Sequence, residues 1–377
     1  MWNLHLVCHA CGQEFPATHR APMCTVCGGP LDAVYHTSPR ADAGKGLGVW
    51  QWGDAFPLAT GLPQVSLGEG NTPVVPLERV GAVAGCPRLW AKLEYLNPTG
   101  SFKDRGSAVL LSVLKAWGVT RVVEDSSGNA GASLSAYAAR AGVQAVVYVP
   151  DTAPRPKVQQ IRVYGAEVRV VPGGRQAATQ AAQDAWKRGE GVYAAHHLSP
   201  YFLEGMKSFA LEVFAQMGGD VPEHMVFPVG NGSLLIGTWL GLLVLKQERR
   251  LVRVPRLHAV QAQRVCPLVA AWQEREWTPR PGTRTIAGGI AVSHPPRKAQ
   301  VLQALWETGG QAVAVAEKDI LAWQALLAER EGVFCEPTAA AAFAGLAVLC
   351  AQGTIRPEER ALVPVTGFGL KDRWLRR

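Results

Sequence analysis

The stretch RVVEDSSGNAGASLSAYAAR, residues 121–140, decides the fold class of this chain. Its first four residues, Arg121–Glu124, include the β-branched pair that is typical of a buried strand. A polar loop with a glycine follows, and residues 130–140 then have the pattern of a helix. A strand, a loop and a helix in this order form one half of a βαβ unit, which builds parallel sheets.

The same alternation extends along the chain in both directions. Further strands are predicted at 145–149, 167–171, 192–195, 225–229, 257–261, 312–315 and 361–365, and further helices at 157–164, 176–188, 201–216, 317–331 and 338–350. The strands are nearly continuous apolar runs, which indicates sheets that helices cover on both faces. We therefore expect an α/β fold with mostly parallel sheets.

Length and composition fit a globular protein of two or three domains. The chain has 377 residues, of which 48% are hydrophobic and 18% are charged. This low charge content excludes a disordered, self-repelling chain. The 40 glycines and 26 prolines show no repeat period, which excludes a collagen-like fibre.

The net charge of +8 favours anionic small molecules as ligands. The densest basic patches, at 248–250 and 373–377, lack the interleaved aromatic residues of a nucleic-acid surface. We therefore expect a small-molecule substrate and no nucleic-acid partner.

One uncharged run, residues 225–245, has the length of a membrane span. The segment Gly230–Ser233 interrupts it with polar and glycine residues, which a lipid-facing helix would not contain. We expect a strand, a loop and a buried helix here instead. The first residues show no targeting signal, so the expected location is the cytoplasm, without membrane contact.

Four of the eight cysteines form two C-x2-C pairs separated by twelve residues: Cys8, Cys11, Cys24 and Cys27. Two such turns complete a tetrahedral cage of four sulfurs, which zinc prefers, although iron accepts the same ligands. Four thiolates leave no open coordination position, so the expected metal is structural. The remaining cysteines lie in apolar surroundings and are expected in the core, without disulfides.

The segment LNPTGSFKDRG, residues 96–106, holds the strongest candidate for chemistry. A turn rich in Asn, Pro and Gly leads into a helix predicted to run to about Trp117, and Lys103 stands at its start. The positive end of the helix dipole lowers the proton affinity of an amine there, which favours a nucleophile or a base.

Three further loops follow strands. DSSGNAG at 125–131 offers backbone N–H groups, hydroxyls and an amide to a carboxylate, and PVGNGS at 228–233 suits a phosphate. VTGFGLKD at 365–372 ends the last strand with a hydroxyl and two glycines.

These four motifs in this order resemble the fold-type II pyridoxal-phosphate enzymes, the tryptophan synthase β superfamily. LGEGNTP at 67–73 and EPTAA at 336–340 make the chain most similar to the threonine synthase family within it. The resemblance covers about 65–372, and some members of that family also carry an N-terminal zinc ribbon.

The resemblance implies two three-layer αβα lobes and a homodimer. It places a zinc ribbon at 1–40 and a catalytic part at 50–377. Within the latter, a smaller mobile lobe at about 104–205 would be inserted in a large lobe formed by 50–103 and 206–377, and would close over the substrate.

The resemblance also implies residue roles. Lys103 would bind pyridoxal phosphate as a Schiff base and shuttle the proton at the substrate Cα. The cofactor would further contact Asn129, Gly230, Asn231, Gly232, Ser233 and Thr366, with Thr366 facing the pyridine nitrogen. The substrate would contact Ser126, Ser127, Gly128, Asn129, Ala130, His196 and His197. A hydroxyl at Thr366 implies an unprotonated ring nitrogen, which suits elimination and replacement at Cβ.

Some positions depart from the threonine synthase pattern. Phe202 stands where that family has an arginine for the substrate phosphate, and His196 and His197 replace an Asn-Ser pair. Ala130 replaces a threonine. These changes remove a fixed positive charge and a hydroxyl from the expected phosphate site; the histidines could compensate in part if they were protonated.

Three functions therefore remain open from the sequence. The first is threonine synthase, acting on O-phosphohomoserine. The second is a serine or threonine dehydratase, or a cysteate-synthase-like enzyme acting on phosphoserine. The third is a catalytically retired, zinc-ribbon binding or regulatory protein, against which Lys103, Asn129 and Thr366 argue.

Overall fold

The computed structural model of the chain describes residues 1–56, 58–279 and 282–372. The basic patch at 373–377 lies outside the described residues. Within the described part, no helix combines the length and the apolar character that crossing a bilayer requires.

Strands and helices alternate along the chain. The strands are β1 (Leu4–Cys8), β2 (Glu14–Pro16), β3 (Leu31–Tyr35), β4 (Val74–Pro76), β5 (Leu89–Lys92), β6 (Arg121–Glu124), β7 (Gln144–Pro150), β8 (Glu167–Val171), β9 (Val192–Tyr193), β10 (His224–Pro228), β11 (Arg256–Ala262), β12 (Ala312–Val315) and β13 (Ala361–Pro364). The helices are α1 (Glu78–Ala84), α2 (Lys103–Ala116), α3 (Asn129–Ala141), α4 (Arg155–Val163), α5 (Gly174–Lys187), α6 (Pro200–Gln216), α7 (Ser233–Gln247), α8 (Pro267–Trp272), α9 (Lys298–Thr308), α10 (Glu317–Glu331) and α11 (Pro337–Ala351).

The predicted elements differ from the observed ones mainly at their ends. Helix α4 begins two residues before the predicted start, with Pro156 in its first turn, where a missing N–H costs no hydrogen bond. Strand β9 ends two residues before the predicted end, although Ala194 N–H still donates to the Val123 carbonyl at 2.9 Å.

The chain divides into two compact units. The first contains Met1–Asn71, Asn97–Ser208 and Asp372, and the second contains Thr72–Leu96 and Phe209–Lys371. The N-terminal module thus belongs to the same unit as α2 to α5. The lobe boundaries that the resemblance implied stay a prediction.

The described residues of the first unit form two sheets. The N-terminal sheet has the strand order β2-β1-β3 and is antiparallel. The larger sheet has the order β8-β7-β6-β9 and is parallel throughout. Its core is formed by Val123, Val146, Tyr148, Ala182, Ala185, Tyr193, Ala195 and Leu198. Because β6 is an inner strand, its C-terminal end, Glu124, and the loop that follows lie at the middle of this sheet edge.

The second unit is built on a sheet with the order β12-β11-β10-β13-β5-β4. All neighbours pair in parallel except β4, which is antiparallel to β5. Helix α11 packs against this sheet so closely that a Cβ at Gly345 would lie 2.2 Å from the Val260 side chain. The predicted α/β fold with mostly parallel sheets is confirmed.

Candidate active site

Lys103 is the first residue of α2, as the sequence predicted. The buried Asp104 carboxylate fixes the loop before it, accepting hydrogen bonds from the Thr99 N–H at 2.7 Å and the Thr99 hydroxyl at 2.5 Å. The Lys103 amine lies 4.4 Å from the centre of the Phe102 ring and 5.7 Å from that of Phe202. The amine is therefore held at a helix start beside two aromatic rings.

Helices α2 and α6 cross at two glycines. A Cβ at Gly106 would lie 2.6 Å from the Phe202 ring, and a Cβ at Gly205 would lie 2.1 Å from the Arg105 carbonyl oxygen. Arg105 also donates to the Ser208 hydroxyl at 2.9 Å. This close crossing explains how Phe202, on α6, reaches the first turn of α2. The sequence singled out Phe202 but gave no sign that glycines create the contact.

The loop between β6 and α3 belongs to the same unit as Lys103. Gly128 N–H donates to the Ser126 hydroxyl at 3.3 Å, and Asn129 opens α3. The first turn of α3 packs on the loop so tightly that a Cβ at Gly131 would lie 1.9 Å from the Ser126 carbonyl oxygen. Backbone N–H groups of a helix start thus stand beside the Ser126–Gly128 segment, a geometry that suits a carboxylate.

His196 forms a buried cluster with residues that the sequence reasoning did not select. Its Nδ1 lies 3.0 Å from Glu124 Oε1, and its ring packs edge-on against Phe202 and His197, with centroids 5.8 and 5.1 Å apart. The neighbouring Asp125 accepts a hydrogen bond from the Thr179 hydroxyl. The sequence signal that could have indicated Glu124 was its position as a carboxylate at the end of an apolar strand.

Burial dominates the electrostatics of this cluster. It raises the pKa of Glu124 to about 8, assisted by the negative charge of Asp125. Burial lowers the pKa of His196 well below its ordinary value, assisted by the positive charge of Lys103, and lowers the pKa of His197 to about 4. Both imidazoles are therefore neutral at pH 7. They do not supply the positive charge of the arginine that the threonine synthase family has at the position of Phe202.

The raised pKa of Glu124 predicts a pH-dependent stability. The folded state holds this proton more tightly than the unfolded chain, so its stabilising effect is complete below the ordinary pKa and is lost as the pH rises through about 8. Between pH 7 and 8.5 the free energy of unfolding should fall by about 1 kcal/mol in the wild type. Neutral histidines contribute little change above pH 7.

Urea unfolding of the wild type and of Glu124→Gln at both pH values measures this effect. Glutamine cannot titrate, so the decline should disappear in the variant. Equal declines in the two proteins would assign the pH dependence to other groups.

The second unit contains the predicted phosphate loop, Gly230–Ser233. Helix α7 begins at the buried Ser233, and Gly232 before it has a φ of 84°, a left-handed conformation that favours glycine. A Cβ at Gly230 would lie 2.8 Å from the Gly289 carbonyl oxygen. A glycine-lined turn that opens a 15-residue helix fits a phosphate group.

Thr366 lies after β13 in the same unit and is almost fully buried, with 1% of its surface exposed. Its hydroxyl donates to Glu336 Oε1 at 3.2 Å. Because a hydroxyl has a single hydrogen, a hydrogen bond from Thr366 to a pyridine nitrogen would require this bond to be released. Glu336, the first residue of the EPTAA motif, therefore belongs to the candidate site.

The predicted residues thus fall into two groups. The first unit holds Lys103, Ser126, Ser127, Gly128, Asn129, Ala130, His196 and His197. The second holds Gly230, Asn231, Gly232, Ser233 and Thr366.

The four N-terminal cysteines come together as the spacing predicted. The sulfur atoms of Cys8, Cys11, Cys24 and Cys27 all lie within 4.8 Å of one another. Cys8 ends β1, and its Sγ lies 3.5 Å from that of Cys27. Four sulfurs this close suit a tetrahedral metal site.

The N-terminal module that contains these four cysteines, hereafter the cysteine module, packs on α6. The Tyr201 hydroxyl donates to the Ala17 carbonyl, and the Tyr35 hydroxyl donates to the Glu204 carboxylate. The Lys207 amine lies 2.5 Å from the same carboxylate. Trp2 also packs on the Tyr201 ring, with centroids 6.2 Å apart. One face of α6 therefore supports the module, while Phe202 and Gly205 contact α2.

Comparison with known proteins identifies the family of the chain. A family model described as pyridoxal-phosphate dependent enzyme matches residues 65–367. A threonine synthase of Methanocaldococcus jannaschii is 33% identical over 97% of this chain and 92% of its own length. A threonine synthase of Methanosarcina acetivorans is 33% identical over 98% of this chain and 92% of its own length.

Solved structures give the same fold. Maize serine racemase superposes with a TM-score of 0.68 at 21% identity, covering 79% of this chain and 88% of its own. O-ureido-L-serine synthase superposes with a TM-score of 0.66 at 23% identity, covering 80% of this chain and 90% of its own. The fold-type II architecture is thereby confirmed. The chain belongs to the family of pyridoxal-phosphate dependent enzymes and is a threonine synthase-like lyase.

Proposed function

We propose that the chain uses Lys103 to bind pyridoxal phosphate and to remove the Cα proton of an amino acid that carries an oxygen-linked leaving group. The position of Lys103 at the start of α2, in the same unit as the Ser126–Gly128 loop, carries this proposal. The first candidate reaction is the conversion of O-phosphohomoserine and water to threonine and phosphate, which the similarity to threonine synthases supports.

The cofactor, when bound, withdraws electrons from the substrate Cα and makes its proton removable. The residues of the chain supply binding and proton transfer. We assign the substrate carboxylate to Ser126, Ser127 and Gly128 and the cofactor phosphate to the loop Gly230–Ser233. Asn129 is assigned to the ring oxygen of the cofactor, and Lys103 accepts the Cα proton. A cofactor phosphate at Gly230–Ser233 is favoured by the N–H groups of α7, which need no side-chain charge to bind an anion.

A dehydratase acting on serine or threonine is the second candidate, and Phe202 favours it. This ring, 1% exposed, occupies the position beside Lys103 where a phosphate-binding arginine was expected. A buried dianion beside an apolar ring and two neutral histidines would lose its hydration without a matching partner there.

We further propose that the four cysteines bind a structural zinc ion, because four thiolates form a closed tetrahedral site. A homodimer remains a prediction from the resemblance, and a cytoplasmic location remains a prediction from the sequence.

The cofactor-loaded protein should be assayed for phosphate release from O-phospho-L-homoserine, with the amino-acid product identified. L-Serine, L-threonine and O-phospho-L-serine should be tested in parallel for keto-acid formation. Phosphate with threonine identifies the first candidate, and a keto acid from a hydroxy amino acid identifies the second. A protein that shows no visible absorbance of lysine-bound cofactor and no turnover would contradict the proposed function itself.

A further inference from the structure

The pair formed by Glu124 and His196 stands beside the proposed reactive lysine without a role so far. Glu124 is fully buried, and His196 is 5% exposed. Their 3.0 Å hydrogen bond joins the end of β6 to the segment that precedes α6. The pair is therefore shielded from bulk water.

Phe202 links the pair to Lys103. Its ring centroid lies 5.8 Å from that of His196 and 5.7 Å from the Lys103 amine. The charges that act on the pair come from Lys103 on α2, Asp125 after β6 and Arg175 on α5. The His197 ring also packs edge-on with the His196 ring, with the two centroids 5.1 Å apart.

The raised pKa of Glu124 and the lowered pKa of His196 favour the proton of this hydrogen bond on the carboxyl group. With its pKa raised to about 8, Glu124 is mostly protonated at pH 7 and donates to His196 Nδ1. A neutral His196 that accepts at Nδ1 carries its own hydrogen on Nε2. The pair can therefore release the Nε2 hydrogen while the Glu124 proton moves to Nδ1. Neither step creates a buried imidazolium.

An acid of this kind matters only for a poor leaving group. Hydroxide leaves carbon with difficulty unless it is protonated as it departs, whereas phosphate and chloride need no proton.

We propose that His196, resupplied by Glu124, protonates the leaving oxygen of the substrate, and that the site is therefore built for an amino acid with a hydroxyl leaving group. This inference rests on the proposed function. Lys103 takes the Cα proton, the Cα–H electron pair forms the Cα–Cβ double bond, and the Cβ–O pair leaves with oxygen. The oxygen takes the Nε2 hydrogen of His196 and departs as water. The proton on Lys103 then returns to the pair, so each turnover is balanced and consumes no external acid.

The test compares a substrate whose leaving group must be protonated with one whose leaving group needs no proton. Keto-acid formation from L-serine and chloride release from β-chloro-L-alanine are measured as initial rates for the wild type, His196→Asn and Glu124→Gln. The His196→Asn variant should lose about 100-fold in kcat on L-serine and no more than about 3-fold on β-chloro-L-alanine. Glu124→Gln should show the same selective loss. The exposed His294, changed to Asn, is the control, and both rates should stay unchanged.

The wild type supplies an independent readout if a variant fails to fold. Its kcat on L-serine should fall as the pH rises through about 8, the pKa of Glu124, while its rate on β-chloro-L-alanine should not show this fall.

Equal losses on both substrates would make the pair structural and overturn the inference. Turnover of O-phospho-L-homoserine or β-chloro-L-alanine without any turnover of L-serine or L-threonine would also overturn it, and would leave the proposed function standing. Absence of both turnover and cofactor absorbance would instead defeat the proposed function.

Discussion

Lys103→Ala should remove the visible absorbance of bound cofactor and lower turnover by about 1,000-fold or more, since alanine can neither form the covalent link nor accept a proton. The fold should survive. The contacts of the Lys103 amine with the rings of Phe102 and Phe202 are worth about 0.5–1 kcal/mol each, a small part of the stability of a domain. Absorbance spectra after dialysis, turnover and thermal unfolding measure the three effects.

Lys115→Ala is the matched control because Lys115 lies on the same helix with an exposed side chain. It should keep both absorbance and turnover. Full activity of Lys103→Ala would overturn the assignment of the cofactor to this residue.

Cys8→Ser should release the metal and unfold the N-terminal module. Cys8 is buried at the end of β1, and its sulfur is one of four within 4.8 Å of each other. Metal binding to such cages contributes on the order of 10 kcal/mol of apparent free energy, so the small antiparallel sheet should not persist without it. Turnover should change only modestly, because a closed four-sulfur site offers no position for a substrate.

Metal analysis and the fluorescence change of the tryptophans on heating measure this outcome, since Trp2 packs against Trp117 and Tyr201. The half-exposed Cys266, changed to Ser, should retain the metal and the unfolding temperature. A large loss of turnover in a Cys8→Ser protein that remains folded would contradict a purely structural role for the metal.

The sequence was sufficient for the features that depend on local pattern. The C-x2-C spacing predicted the cysteine cluster, and the turn before Lys103 predicted the start of α2 at that residue. The alternation of strands and helices predicted the parallel sheets. The apolar pattern of each strand and the glycine loops that follow strands are local features of the sequence.

Features that depend on packing between distant segments were not predictable. Glu124 and His196 are 72 residues apart, and nothing in either segment indicates their hydrogen bond. The contact of Phe202 with Gly106 likewise depends on how two helices cross. The pKa values that make the histidines neutral follow from burial, which only the folded chain defines.

The support of the cysteine module by α6 has a consequence for synthesis of the chain on the ribosome. Tyr35 and its partner Glu204 are separated by 169 residues, and Ala17 and Tyr201 by 184. At roughly 5–20 residues per second, α6 emerges some 10–30 s after the module is complete. During this interval the nascent module must persist without the contacts of Trp2 with Tyr201 and of Tyr35 with Glu204. A cage of four cysteines that closes within the first 27 residues would let it hold its shape until its docking helix is made.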